Sequence, residues 1–281
     1  MYVYTQGKYL KLYKRKYKKR FYMHDGKRIT LRKNQKVVSQ KPTRRKSRRH
    51  TISSSFGEKK ENTLCRASAK FSSTAAKKLR TLTESGRSKN NDGKITQKEM
   101  AGALTLTKIG NKKYVITLDG NRRLTGKEEE VRVARSRFNY HSHPREAYVR
   151  HGVNIGWPSG SDFEAFIAAF KDYGTQFHCV ATLEGLYVLT ITPFWLKNSR
   201  DINVKSVKKT YEIKYPAKNE NPKNYPNTGR EFVVFVNKIK YKNTHSLFKV
   251  FFISWKETER GKLFSFYFLP KDRDCLISRS D

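Results

Sequence analysis

Residues 1–60 carry 21 Lys and Arg against only Asp25 and Glu58, a local excess of +19. The later part of this stretch, KPTRRKSRRHTISSS over residues 41–55, has no apolar periodicity and reads as extended linker. A segment of this kind cannot bury a core, so the chain divides into a basic arm and linker over 1–65 and a globular part from residue 66 onward. With 281 residues and 36% apolar content, there is material for one good core and a smaller second one. The formal charge of the whole chain, +37, does not choose the fold. It does draw in polyanions, acidic protein surfaces or an anionic membrane.

The first part of the arm interleaves Tyr2, Tyr4, Tyr9, Tyr13, Tyr17 and Tyr22 with basic residues, and HDGK predicts a hairpin turn between two short strands. Lys14, Arg15, Lys16, Lys18, Lys19, Arg20, Arg44, Arg45, Arg48 and Arg49 are the candidate contacts. Cations that neutralise phosphates, beside tyrosines that stack on bases, suit sequence-independent nucleic-acid binding. The same arm suits acidic protein neighbours in a large assembly such as a virus capsid or nucleoprotein particle, and RRKSRR also fits a localisation signal. No apolar run is long enough to cross a bilayer, and MYVYTQGKYLKLYKRK lacks the apolar segment of a signal peptide. Cys65, Cys179 and Cys275 are odd in number and widely spaced, which suggests neither a disulfide framework nor a cysteine zinc cluster. The expected setting is intracellular and reducing: cytoplasm, nucleus or virion.

Residues 66–200 have the pattern of a mixed α/β (α+β) domain, with one mixed sheet and flanking helices. STAAKKLRTLTES predicts a helix, and MAGALTLTKIGNKKYVITLDG predicts two strands joined at GNKK. VRVARSRFNYHSH reads as a strand, SDFEAFIAAFKDYG as a helix, and FHCVATLE and LYVLTITPFW as two apolar strands. Over 201–281, KTYEIKYP, REFVVFVNKIKY, SLFKVFFISWKE and KLFSFYFLPKD read as strands of an antiparallel β extension, separate from the first sheet or added to it.

Three patterns carry chemistry. His141 and His143 stand at i and i+2, so on a strand they share a face and can grip one cation; they can equally be two polar residues at a strand end. Ser159 and Asp162 form Ser-x-x-Asp before an apolar-periodic run, which is also how a capped helix begins. Ser88–Glu99, SKNNDGKITQKE, matches much of an EF-hand calcium loop, although Ser88 stands where an Asp is expected and strand-like residues come after Glu99.

Together, a Glu before MAGALTL, then HSHP, then PSGSD opening a helix, then CVATLEGLYVL resembles the JAMM/MPN family of zinc metallopeptidases, which includes deubiquitinating isopeptidases. The resemblance covers residues 70–195 and reaches neither the arm nor the C-terminal part. It implies that His141, His143 and Asp162 are zinc ligands with a water in the fourth position. It also implies that Glu99 is the general base and that Ser159 helps hold the oxyanion. The chain departs from the family in the gap between His143 and Ser159: the fifteen residues from Pro144 to Pro158 are more than the family usually has. That insertion reads as a loop over the cleft, and its His151 is an alternative third ligand. Two functions are consistent with these patterns: a zinc peptidase or isopeptidase carried on a basic arm, or a non-enzymatic component, of minor-capsid or ribonucleoprotein type, that uses the JAMM-like domain as a packing block.

Overall fold

The computed structural model describes residues 65–128, 130–198, 202–213 and 226–269, together with six short strands in the first 38 residues. The chain divides into two compact units, residues 1–59 and 60–281. In the first, β1 (Tyr2–Thr5), β2 (Lys8–Lys11) and β6 (Val37–Val38) form one small antiparallel sheet. β3 (Tyr13–Lys14), β4 (Tyr22–His24) and β5 (Lys27–Ile29) form another, in which His24 faces Lys27 across the expected HDGK turn. Of the basic residues assigned to polyanion binding, Lys14 ends β3, and Arg15, Lys16, Lys18, Lys19, Arg20, Arg44, Arg45, Arg48 and Arg49 lie outside the described residues. The linker over 41–55 lies outside them too.

The second unit runs from β7 (Arg66–Phe71) and α1 (Ser73–Glu84) through a short hairpin, β8 (Arg87–Lys89) and β9 (Ile95–Gln97), to a long one, β10 (Met100–Gly110) and β11 (Lys113–Thr125). Next come β12 (Phe138–Ser142), α2 (Arg145–His151), α3 (Gly160–Tyr173), β13 (Phe177–Ala181) and β14 (Gly185–Ile191). α4 (Pro193–Asn198), α5 (Val204–Tyr211), α6 (Gly229–Val236), β15 (Phe248–Ser254), α7 (Trp255–Glu259) and β16 (Phe264–Tyr267) complete it. Eight strands make one mixed sheet in the order β15-β14-β13-β12-β10-β11-β7-β16. The β12–β13 and β11–β7 pairs are parallel and the others antiparallel.

Local chemistry accounts for the elements around the centre of the sheet. α1 starts where the Ser72 hydroxyl accepts the Ala75 N–H, and it buries Ala75, Ala76, Leu79 and Thr83 along one stripe. The β10–β11 hairpin turns at Asn111–Lys112, with Lys112 in the left-handed region. β12 and β13 are buried along their whole length, so each sends alternate side chains into two cores. One core holds Phe138, Tyr140, Phe177 and Cys179 with Leu79, Trp255, Phe264 and Phe266. The other, against α3, α5 and α6, holds Val180, Tyr187 and Leu189 with Phe163, Phe166, Val207 and Phe232.

Several expectations need correction. Only Phe138–Ser142 of VRVARSRFNYHSH is strand. Among the described C-terminal residues, the strands are added to the first sheet rather than separate from it: β15 and β16 lie antiparallel at opposite ends of the eight-stranded sheet. Residues 230–236 of REFVVFVNKIKY fold into α6, because the Thr228 hydroxyl caps the Glu231 N–H and Phe232 and Val236 bury at i, i+4. The strand propensity of its β-branched run loses to that packing. KTYEIKYP begins inside α5, where Val207 and Tyr211 are buried at the same spacing. The calcium reading of Ser88–Glu99 also fails. These residues form the β8–β9 hairpin, and Asn90 Oδ1 accepts the Asp92 and Lys94 N–H groups at 3.1 and 2.8 Å, closing the turn. Cys179 is buried and free, whereas Cys65 is disulfide-bonded, so the cysteines do not argue for a reducing compartment as their spacing suggests. Among the described residues, no helix is long and apolar enough to cross a membrane.

Candidate metal centre

The parallel register of β12 and β13 sets Asn139 beside His178 and His141 beside Val180. Strand alternation then turns Asn139, His141 and His178 to the α3 side of the sheet. Beyond the end of β12, the His143 N–H donates to the Ala181 carbonyl at 2.8 Å, which prolongs the pairing and keeps His143 on the face of His141. Asp162 arrives from the first turn of α3. There it closes a capping box: the Ser159 hydroxyl accepts the Asp162 N–H, and Asp162 Oδ2 accepts the Ser159 N–H at 2.7 Å. The cap and the candidate ligand are thus one carboxylate, with Oδ2 bound to Ser159 and Oδ1 turned to His141.

One ligand atom from each of His141, His143 and Asp162 lies within 4.8 Å of the others. The two Nε2 atoms are 3.1 Å apart, and Asp162 is 3.1 Å from His141 Nε2 and 3.4 Å from His143 Nε2. Hydrogen bonding fixes which nitrogens carry protons. Asn139 Nδ2 donates to the Ala134 carbonyl at 2.9 Å, so its Oδ1 faces His178 Nδ1 at 2.6 Å and takes the proton there. His178 Nε2 is then an acceptor for His141 Nδ1–H at 2.7 Å, and His141 Nε2 is left bare. His143 Nδ1 donates to the Gly156 carbonyl at 2.8 Å, which directs its Nε2 inward as well. Two bare nitrogens and a carboxylate at these distances require a proton or a cation among them, the pattern of a metal-ligand set with committed outer nitrogens.

The charges agree. Burial opposes the charged form of His143, but the Asp162 carboxylate, the charge of Glu99 and the Gly156 carbonyl outweigh it and raise its pKa to about 9. Burial pushes Asp162 upward, yet the imidazoles of His141 and His143 hold it well below the usual carboxylate range. His178 is driven far below the ordinary histidine range by burial and by His141, so it stays neutral and keeps its acceptor nitrogen.

The three side chains open onto a cleft of about 420 Å³ whose lining includes Glu99, Val131, Tyr148, His151, Ser159 and Asp162. Glu99 is nearly buried at the mouth of β10 and is close enough to act on the charge of His143. Ser159 also faces the cleft, but its hydroxyl donates to Asp162 Oδ2 at 3.0 Å. His151 stands on the cleft wall and is not one of the three converging residues; Asp162 is.

The long insertion is a fixed wall. At its start, Arg145 pairs with Glu84 at the end of α1 (Nε to Oε2, 2.6 Å), and Glu146 pairs with Arg87 of β8 (2.8 Å from Nε). The Glu146 N–H donates to Gln97 Oε1 at 3.2 Å, and Gln97 Nε2 donates to the Ser85 carbonyl at 2.6 Å. At its end, Glu184 Oε1 accepts the Gly156 N–H at 3.0 Å, and Glu184 Oε2 accepts the Tyr148 hydroxyl at 2.8 Å. A Cβ on Gly156 would sit 2.3 Å from that hydroxyl, so only glycine lets the loop approach Tyr148 while its carbonyl holds His143.

No family model matches the chain, and no curated protein does. Asn139, His178 and Gly156 are the contributors that motif reading overlooks. The available signal is a pair of polar residues, Asn139 and His178, each alternating with apolar ones in a buried strand.

Proposed function

We propose that this protein is a zinc-dependent peptidase or isopeptidase of JAMM/MPN type, held through its basic first sixty residues in a nucleic-acid-rich or virion-type assembly. The observation that carries the proposal is the convergence of His141 Nε2, His143 Nε2 and the Asp162 carboxylate on one wall of a cleft that Glu99 also lines. Two nitrogens and one carboxylate are a donor set that catalytic zinc accepts, with one position left open. When bound there, zinc polarises a carbonyl and lowers the pKa of water. His141, His143 and Asp162 would hold it.

The remaining roles belong to the chain. The Glu99 carboxylate accepts a proton from the attacking water and returns it to the leaving amine nitrogen as the peptide bond breaks. Ser159 fixes Asp162 through the helix cap, and its hydroxyl reaches a developing oxyanion only if it gives up the Asp162 bond. The wall made by α2 and the loop to Gly156 limits which chains enter.

The test compares wild type with Glu99→Gln on peptide and isopeptide substrates, together with bound-metal analysis. The expected result is full zinc content in both and a loss of hydrolysis of about 100-fold or more in the variant, the range for a general base. Equal hydrolysis in both would remove Glu99 from the reaction. Bound zinc with no hydrolysis by either protein would favour the packing-block role.

A further inference from the structure

We infer that His178, itself oriented by Asn139, is a positioning residue of the metal centre: it fixes the ring and tautomer of His141 so that Nε2 is permanently the ligand nitrogen. The inference rests on the reading that His141, His143 and Asp162 bind a metal, and extends it to two residues outside the motif.

The Ala134 carbonyl orients the Asn139 amide at 2.9 Å, Asn139 Oδ1 takes the His178 Nδ1 proton at 2.6 Å, and His178 Nε2 takes the His141 Nδ1 proton at 2.7 Å. Each link has one polarity because the first does. Asn139 and His178 are wholly buried, so water offers neither of them a substitute partner. The rings of His141 and His178 meet edge to edge and nearly coplanar, with 4.8 Å between centroids and 22° between planes, so the hydrogen bond sets the His141 plane as well as its proton. Phe166 of α3 packs against His178 at 6.1 Å between centroids and helps hold that ring in place.

The two imidazoles are held in different ways. His143 gives its outer hydrogen bond to a backbone carbonyl, Gly156, held by the insertion. His141 gives its own to a side chain, and so relies on a relay across two parallel strands. Outer partners of this kind are worth about 10- to 100-fold in metal affinity.

Substitution of His178 tests this. In His178→Gln the side-chain oxygen can accept from His141 Nδ1 and the amide nitrogen can donate to Asn139 Oδ1, so both bonds keep their direction. His178→Leu removes both. Zinc affinity is measured on the full chain by competition with a chelator, with thermal unfolding measured alongside. The inference predicts that His178→Leu binds zinc about 10- to 100-fold more weakly than wild type and that His178→Gln recovers most of the loss. Long-range proton–nitrogen NMR should find the His141 proton on Nδ1 in wild type and in His178→Gln. If His178→Leu does not fold, Asn139→Ala takes its place, with weakened binding again expected. Zinc binding by folded His178→Leu, or by Asn139→Ala, equal to wild type would overturn the inference and leave the metal site standing. A wild-type protein that binds no zinc would overturn both.

Discussion

The two faces of β12 and β13 are built from the same strands and differ by one step along them. On the α1 side, Phe138, Tyr140, Phe177 and Cys179 meet Phe264 and Phe266 in an apolar, aromatic core. On the α3 side, the intervening positions hold Asn139, His141 and His178, which are linked in one directed chain of hydrogen bonds. The first face stabilises by area and ring packing, and it tolerates no gaps. The second is polar at its centre yet equally buried, and it is stable only because its hydrogen bonds are complete. A sheet can therefore stiffen a metal site from behind with one set of side chains and build the site with the other.

The separation of the two faces is tested most severely at Phe266. Its ring contacts Phe138 and Phe177 from β16, and Phe266→Ala should cost about 3–5 kcal/mol of stability, read by chemical denaturation. Zinc affinity of the folded fraction should be unchanged, since the substitution acts on the opposite face; a parallel loss of affinity would mean the two faces are not separable. The smaller effect is at Ser159. Ser159→Ala removes the helix cap and should lower stability by about 1 kcal/mol. Its N–H still holds Asp162, so affinity for zinc should fall less than the His178→Leu loss. Hydrolysis abolished in Ser159→Ala with metal retained would assign the hydroxyl to the oxyanion, against its present bond to Asp162.

Sequence patterns were legible where the signal is local. The β10–β11 hairpin comes from alternation around Asn111–Lys112, and α3 from its Ser159–Asp162 capping box and the apolar stripe behind it. α6 was not, because Phe232 to Val236 are β-branched or aromatic throughout and only their burial at i, i+4 makes them helix. Spacing alone leaves His141 and His143 as two residues on one strand face and Asp162 as a helix cap; only the resemblance to the JAMM/MPN pattern names the three as one ligand set. His178 was not legible: its role depends on the parallel register that places it beside Asn139, 39 residues earlier in the chain, and that register is a property of the sheet. The insertion was legible as extra length, but not as a wall clamped by Glu84, Arg87 and Glu184 from three other parts of the chain.

All of the proposed chemistry depends on His141, His143 and Asp162 forming one cation site. The decisive measurement is elemental analysis of the 281-residue chain, purified without chelator and exposed to zinc, run beside His143→Ala. About one zinc ion per wild-type chain is expected, as for a site of three protein ligands, with loss of that ion in the variant. A wild-type chain free of metal, or a variant that retains as much as wild type, would contradict it.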